Sequence, residues 1–223
     1  MKLVHGKYNL LLPISEEKPS ILVVENPDVM TEFVSSFMQQ LEGNEGDFLL
    51  VNGEKVLDLQ KSVELIINPF SIDFNNKKML SSLFSNLSRT GNDFIEKKND
   101  VLQKSVSLLD FLVSKENFLG ITYNSDFDWP AFFKMFNVQF DNEYESLLVK
   151  LTEYMKLLSS FSKCEFIVFV NLSSYLSQND LNQLLKTALY CKIKVVFIES
   201  SDVLTFSKSY VCVIDKDRCL ITR

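Results

Sequence analysis

The 223-residue sequence holds one histidine, one tryptophan, five prolines and six glycines, and each scarcity removes a class of function. With His5, close to the N-terminus, as the only imidazole, a Ser-His-Asp triad, a Cys-His pair or a multi-histidine metal site has little to build from. His5 itself, close to an end expected to fray, reads as a surface residue. The glycines form neither G-x-x-x-x-G-K-[ST] nor G-x-G-x-x-G, so no phosphate-cradling loop is written in the chain and no nucleotide is expected. Cys164, Cys191, Cys212 and Cys219 lack C-x-x-C spacing and lie in or beside apolar segments, which predicts buried reduced thiols rather than zinc ligands. If 210–214 and 219–222 pair as a hairpin, simple register sets Cys212 opposite Ile221 and not Cys219, so no disulfide is implied. No run approaches the ~18 consecutive apolar residues of a membrane span, and the opening MKLVHGKYNLLLP lacks the features of a signal peptide. A soluble, cytoplasmic protein is expected.

What is present is a hydrophobic content of 46%, enough to bury a core without covalent staples. Asp and Glu exceed Lys and Arg by 29 to 23, so any nucleic-acid surface must be locally basic. ILVVE at 21–25 reads as a strand, and Asn26-Pro27-Asp28 as the cap and first turn of a helix with Val29, Phe33, Phe37 and Leu41 on one face, closed by Gly43 and Gly46. FLLV and EKVL flank Asn52-Gly53 as a hairpin, and VELII at 63–67 follows. From about 76 to 117 the chain lacks proline and its leucines recur at helical spacing, which predicts long helix broken near Gly91. Such helices exceed what a small sheet can cover, so part should project and find apolar partners on another subunit.

Short strands are expected at 120–123 and 138–140, with a helix opening at Asp128-Trp129-Pro130 that turns Phe132, Phe133 and Phe136 inward. Helix is expected over 143–161. CEFIVFV at 164–170 is apolar on both alternating faces, as a strand covered above and below must be. A helix capped at Ser177 leads to IKVVFI at 193–198, a right-handed parallel crossover, and YVCVI and CLIT close the chain as strands. The fold class is therefore α/β with a parallel sheet.

At the end of CEFIVFV, where a P-loop enzyme places a magnesium-binding carboxylate, stands Asn171, an uncharged and weaker ligand. Glu116, Asn124, Asp126 and Asp128 share one irregular stretch, open to calcium ligation or to Asp128 capping the Trp129 helix with Asp126 solvated. Lys77, Lys78, Lys97, Lys98, Lys104, Lys115, Lys134, Lys150, Lys156 and Lys163 lie mostly on predicted helices. No RNA-recognition motif or basic helix-turn-helix accompanies them, so base-specific readout is not expected.

Taken in order, ILVVENP, NPFSIDFNNKKML, WPAFFKMFNVQF, CEFIVFVNLSSYL, IKVVFIES and YVCVID resemble the Csn-two family, the small adaptation protein of type II-A CRISPR loci. The resemblance spans nearly the whole chain. It implies a degenerate P-loop-like parallel-sheet head domain at 1–75 and 119–223 with an extended helical leg inserted at 76–118. It also implies a homotetrameric ring whose basic lumen holds double-stranded DNA by its ends, without sequence preference and without catalysis. The implied partners are the CRISPR integrase pair and the RNA-guided nuclease during spacer acquisition. Lys134 in FFKMF is the best-placed family-like lysine, and Lys97, Lys98, Lys104 and Lys150 are taken with it as DNA contacts. Calcium ions that steady the ring map onto Glu116, Asp126 and Asp128 in KENFLGITYNSDFDW, a stretch less densely acidic than in relatives. The competing reading is an interaction scaffold of the adaptation complex that never touches DNA.

Overall fold

The computed structural model describes residues 1–162, 164–204 and 206–222; the candidate Lys163 lies outside them. The chain forms two compact units, residues 1–72 with 143–223, and residues 73–142. In chain order the elements are β1 (Lys2–His5), β2 (Leu10–Pro13), β3 (Ser20–Val24), α1 (Pro27–Leu41), β4 (Phe48–Asn52), β5 (Lys55–Leu57), α2 (Leu59–Ser62) and β6 (Val63–Ile66). Then come α3 (Lys77–Asn92), α4 (Ile95–Val113), α5 (Trp129–Met135), α6 (Leu147–Phe161), β7 (Phe166–Val170), α7 (Gln178–Cys191), β8 (Lys194–Glu199), β9 (Tyr210–Ile214) and β10 (Leu220–Thr222).

The first unit is built on a six-stranded sheet of order β10-β9-β3-β8-β7-β6, parallel except for the antiparallel edge strand β10. Every residue of β3 and β7 is buried, the burial pattern that their uninterrupted apolar sequences demand. α7 starts on a capping box in which Ser177 and Asp180 satisfy each other's backbone donors, and it carries the chain from β7 to β8. Among the described residues no helix is long and apolar enough to cross a membrane.

A second, four-stranded antiparallel sheet, β2-β1-β4-β5, was not expected at its N-terminal end. The hairpin at Asn52-Gly53 supplies two of its strands, with Gly53 at φ +63° as that turn requires. α1 shares one hydrophobic core with both sheets: Val29, Phe33 and Phe37 pack among Leu3, Leu12 and Phe48 of the small sheet and Leu22, Val168 and Ile198 of the large one. His5 is part of this core. It is only 1% exposed, stacks on Phe33 at 4.5 Å and meets Phe48 edge-on at 4.6 Å, which corrects the surface reading. The N-terminus does not fray because Leu3 and His5 alternate inward on a strand paired on both sides.

The four cysteines are free thiols. Cys212 is buried, Cys164 and Cys191 half-buried, and Cys219 exposed, so burial holds fully for one of them. Register pairs Cys212 with Thr222 and Val213 with Ile221, one residue from the expected pairing, and Cys219 precedes the strand.

The second unit is helical. α3 and α4 are separated only by Asp93 and Phe94, close to the expected break. Gly91 does not end α3 by a left-handed backbone; a Cβ there would come within 2.5 Å of the Trp129 indole, so glycine is needed for close approach. α5 packs against α3, and residues 119–142, expected with the head, fall in this unit. Neither 120–123 nor 138–140 is a strand. At 140 the Asn75 side-chain amide takes the place of a strand neighbour: Phe140 N–H donates to Asn75 Oδ1 at 2.8 Å, and Asn75 Nδ2 donates to the Phe140 carbonyl at 3.0 Å. Of the three phenylalanines expected to face inward, Phe133 is buried, Phe132 half-buried and Phe136 64% exposed.

Candidate functional site

In open α/β sheets ligands gather outside the carboxyl ends of the parallel strands. β8 lies between β3 and β7, so the β3–α1 turn and the end of β7 are where a nucleotide's phosphates and its metal would be held. The β3–α1 link consists of Glu25 and Asn26 alone, too short to wrap a phosphate. Asn26 Oδ1 already accepts from the backbone N–H of Asp28 (3.0 Å) and Val29 (3.2 Å), and its Nδ2 donates to the Lys216 carbonyl at 3.0 Å. The Asp28 carboxylate of the first turn lies 3.8 Å from the Arg218 guanidinium. At the end of β7, Asn171 has φ +51° and accepts from Ser200 N–H at 2.9 Å. Beside it the buried Glu199 accepts from Ser173 Oγ at 2.6 Å and Ser173 N–H at 3.2 Å; burial pushes its carboxyl above the ordinary range, with these hydrogen bonds opposing. These groups cross-link the strand ends to one another.

The second unit holds four of the five candidate lysines. On α4, Lys97, Val101, Lys104, Leu108, Phe111 and, just past the helix, Lys115 recur at intervals of three and four and are all exposed. Of the acids of that helix, Glu96 and Asp110 fall away from this stripe, while Asp100, three residues after Lys97 and four before Lys104, stands beside both. Lys97 and Lys104 stand about 10 Å apart along the axis. Leu102, Val106 and Val113 form the half-buried side, yet no α4 residue is fully buried. Leu108, Phe111 and Leu112 are 59%, 57% and 51% exposed.

Lys134 on α5 lines a different concavity, a groove of about 910 Å³ whose walls include Lys77, Leu80, Phe84, Pro130 and Val138. Lys97 and Lys98 line a smaller aromatic cavity at the α3–α4 elbow. Lys150 belongs to the first unit, is half-buried, and its Nζ donates to the Phe70 carbonyl at 2.7 Å. That ammonium fastens α6 to the Pro69–Ser71 turn with one of its three donors, a commitment no spacing argument reveals.

The three acids assigned to calcium have separate roles. Asp128 caps α5, accepting from Ala131 N–H at 3.2 Å, so the capping reading of that residue holds. Asp126 donates its N–H to Asn124 Oδ1 at 2.9 Å, and Glu116 is exposed beyond α4. Tyr123 hydrogen-bonds Asp110 and thereby ties this stretch to α4; that bond holds its phenol above the usual range. Among the described residues no three His, Cys, Asp or Glu side chains are grouped so that they could hold one ion.

The class of protein is thus a mixed α/β fold with a parallel sheet, an inserted helical unit and strand ends cross-linked by their own side chains. Residues 40–218 match the CRISPR-associated protein family Cas_Csn2, and the chain belongs to that family, the Csn2 proteins of type II-A CRISPR adaptation. It is 22% identical to a CRISPR-associated protein Csn2 of Streptococcus agalactiae over 212 residues, 94% of this chain and 93% of the relative. Its fold is similar to the crystal structure of Stu0660 of Streptococcus thermophilus, with a TM-score of 0.66 at 12% identity, covering 96% of this chain and 75% of the other.

Proposed function

We propose that this protein is a non-catalytic, sequence-independent binder of double-stranded DNA ends that assembles as a homotetrameric ring in CRISPR spacer acquisition. The observation that carries the reading is α4, a 19-residue helix without one buried residue. Its N-terminal half offers Lys97 and Lys104 exposed on one stripe about two turns apart, suited to phosphates. Its C-terminal half offers Leu108, Phe111 and Leu112, suited to a second subunit. The resulting local basicity overcomes a formal net charge of −6, because phosphate contact depends on clustered cations rather than on the whole-chain sum. On this reading the head is a degenerate P-loop-like domain and the inserted helices are its legs. A calcium requirement belongs to the assembled ring, where a second subunit completes the oxygen set. The integrase pair and the RNA-guided nuclease are the partners.

The test is binding to linear and covalently closed duplex of one sequence across a salt series, with mass measured in parallel. Retention of linear DNA by a tetramer, weakening steeply with salt, is expected. Equal binding to both forms would sink the ring, and partner binding by a folded protein that ignores DNA would favour the scaffold.

A further inference from the structure

We infer that the aromatic cavity at the α3–α4 elbow takes a single unpaired nucleobase with its phosphate, as presented by a single-stranded DNA end. The inference deepens the DNA-end reading above and rests on it. The cavity measures about 250 Å³, the scale of one nucleotide rather than of a duplex. Its walls include the rings of Phe94, Phe127, Trp129 and Phe132, with Phe127 4.8 Å from Trp129 and 5.3 Å from Phe132. Lys97 Nζ lies 5.3 Å from the centre of the Phe94 ring, and Lys98 Nζ lies 5.7 Å from that of Phe127.

Flat aromatic walls select a planar ligand, and two ammonium groups reject a cation and favour an anion, a combination that describes a base carrying phosphate. Glu96, the acid of the first turn of α4, does not line the cavity. The site is also held in shape: Trp129 Nε1 donates to Asn92 Oδ1 at 2.9 Å, and the missing Cβ at Gly91 is what admits the indole. A base inside a duplex has both faces covered by its neighbours, so only an unpaired one can enter.

Trp129 is the sole tryptophan, so its emission reports on this cavity alone. The full-length protein is titrated with blunt duplex, with the same duplex carrying a short thymidine tail, and with single-stranded oligothymidylate. Tail and oligothymidylate are expected to quench emission and blunt duplex to leave it unchanged, with the tailed duplex bound roughly 5- to 100-fold more tightly than the blunt one. Phe94 is 52% exposed, so Phe94→Ala should fold; it is expected to abolish both the quench and the preference while binding blunt duplex as before. Blunt binding without a tail-dependent quench, or an equal quench by both duplexes, overturns the inference and leaves the ring reading standing. Quenching by oligothymidylate without any duplex binding overturns the ring reading and keeps the cavity. An emission change that follows protein concentration in the absence of DNA makes the occupant a second copy of the chain and overturns the inference.

Discussion

At the scale of single residues, His5 carries the sharpest pH consequence. Burial lowers its pKa below the 6.5 of the unfolded chain, opposed by the charges of Asp47 and Glu32, and its Nδ1 finds no hydrogen-bond partner among the described residues. The unfolded chain therefore binds more protons just below pH 6.5, and stability falls as the pH drops through that value and is restored above it. Urea midpoints on either side of about pH 6.5 should show this slope, and His5→Phe should flatten it. Lys150 and Lys104 make an opposed pair. Lys150→Gln loses its bond to the Phe70 carbonyl and should cost about 1 kcal/mol in thermal unfolding while leaving the salt dependence of DNA binding intact. Lys104→Gln should leave unfolding unchanged and reduce the slope of log affinity against log salt by about one.

At the scale of elements, α4 is tested by Leu108→Glu with Phe111→Glu. Both side chains are exposed in the single chain, so the pair should leave its melting temperature within a few degrees of wild type while, on the proposed ring, sedimentation shifts from tetramer to smaller species. A tetramer that survives both changes would move the interface elsewhere. The elements differed in how plainly the sequence announced them. β3 and β7 were legible because burial on both faces leaves an unbroken apolar run, and α1 and α7 because Asn26 and Ser177 cap them. β1 and β2 were not: a turn at Gly6–Asn9 interrupts them, and a polar histidine occupies one of β1's inward positions. The segments 120–123 and 138–140 had strand-like composition and lack strand partners, which local propensity does not foresee. The lysines of the site could be named by type, but Lys150's carbonyl and the meeting of Phe94 with Phe127 and Trp129 depend on contacts between distant parts of the chain. Gly91 was the one local hint, and it read as a helix breaker rather than as room for an indole.

At the scale of the whole molecule, β3 stands between β8 and β9, and both are encoded far downstream. A chain ending before Tyr210 would leave one edge of Ile21–Val24 without its neighbour, and such a truncation should collect in the insoluble fraction rather than accumulate as a smaller folded protein. The same order of strands sets a timetable for synthesis. Ribosomes add about 5–20 residues per second, so a fully apolar strand waits on the order of ten to forty seconds between its own translation and that of Tyr210–Ile214. During that interval the nascent chain can complete α1 and the small sheet over it, which come from residues 2–57, but it cannot close the large one. Holdase chaperones that mask Ile21–Val24 should therefore raise the yield of native protein more than any factor acting after release.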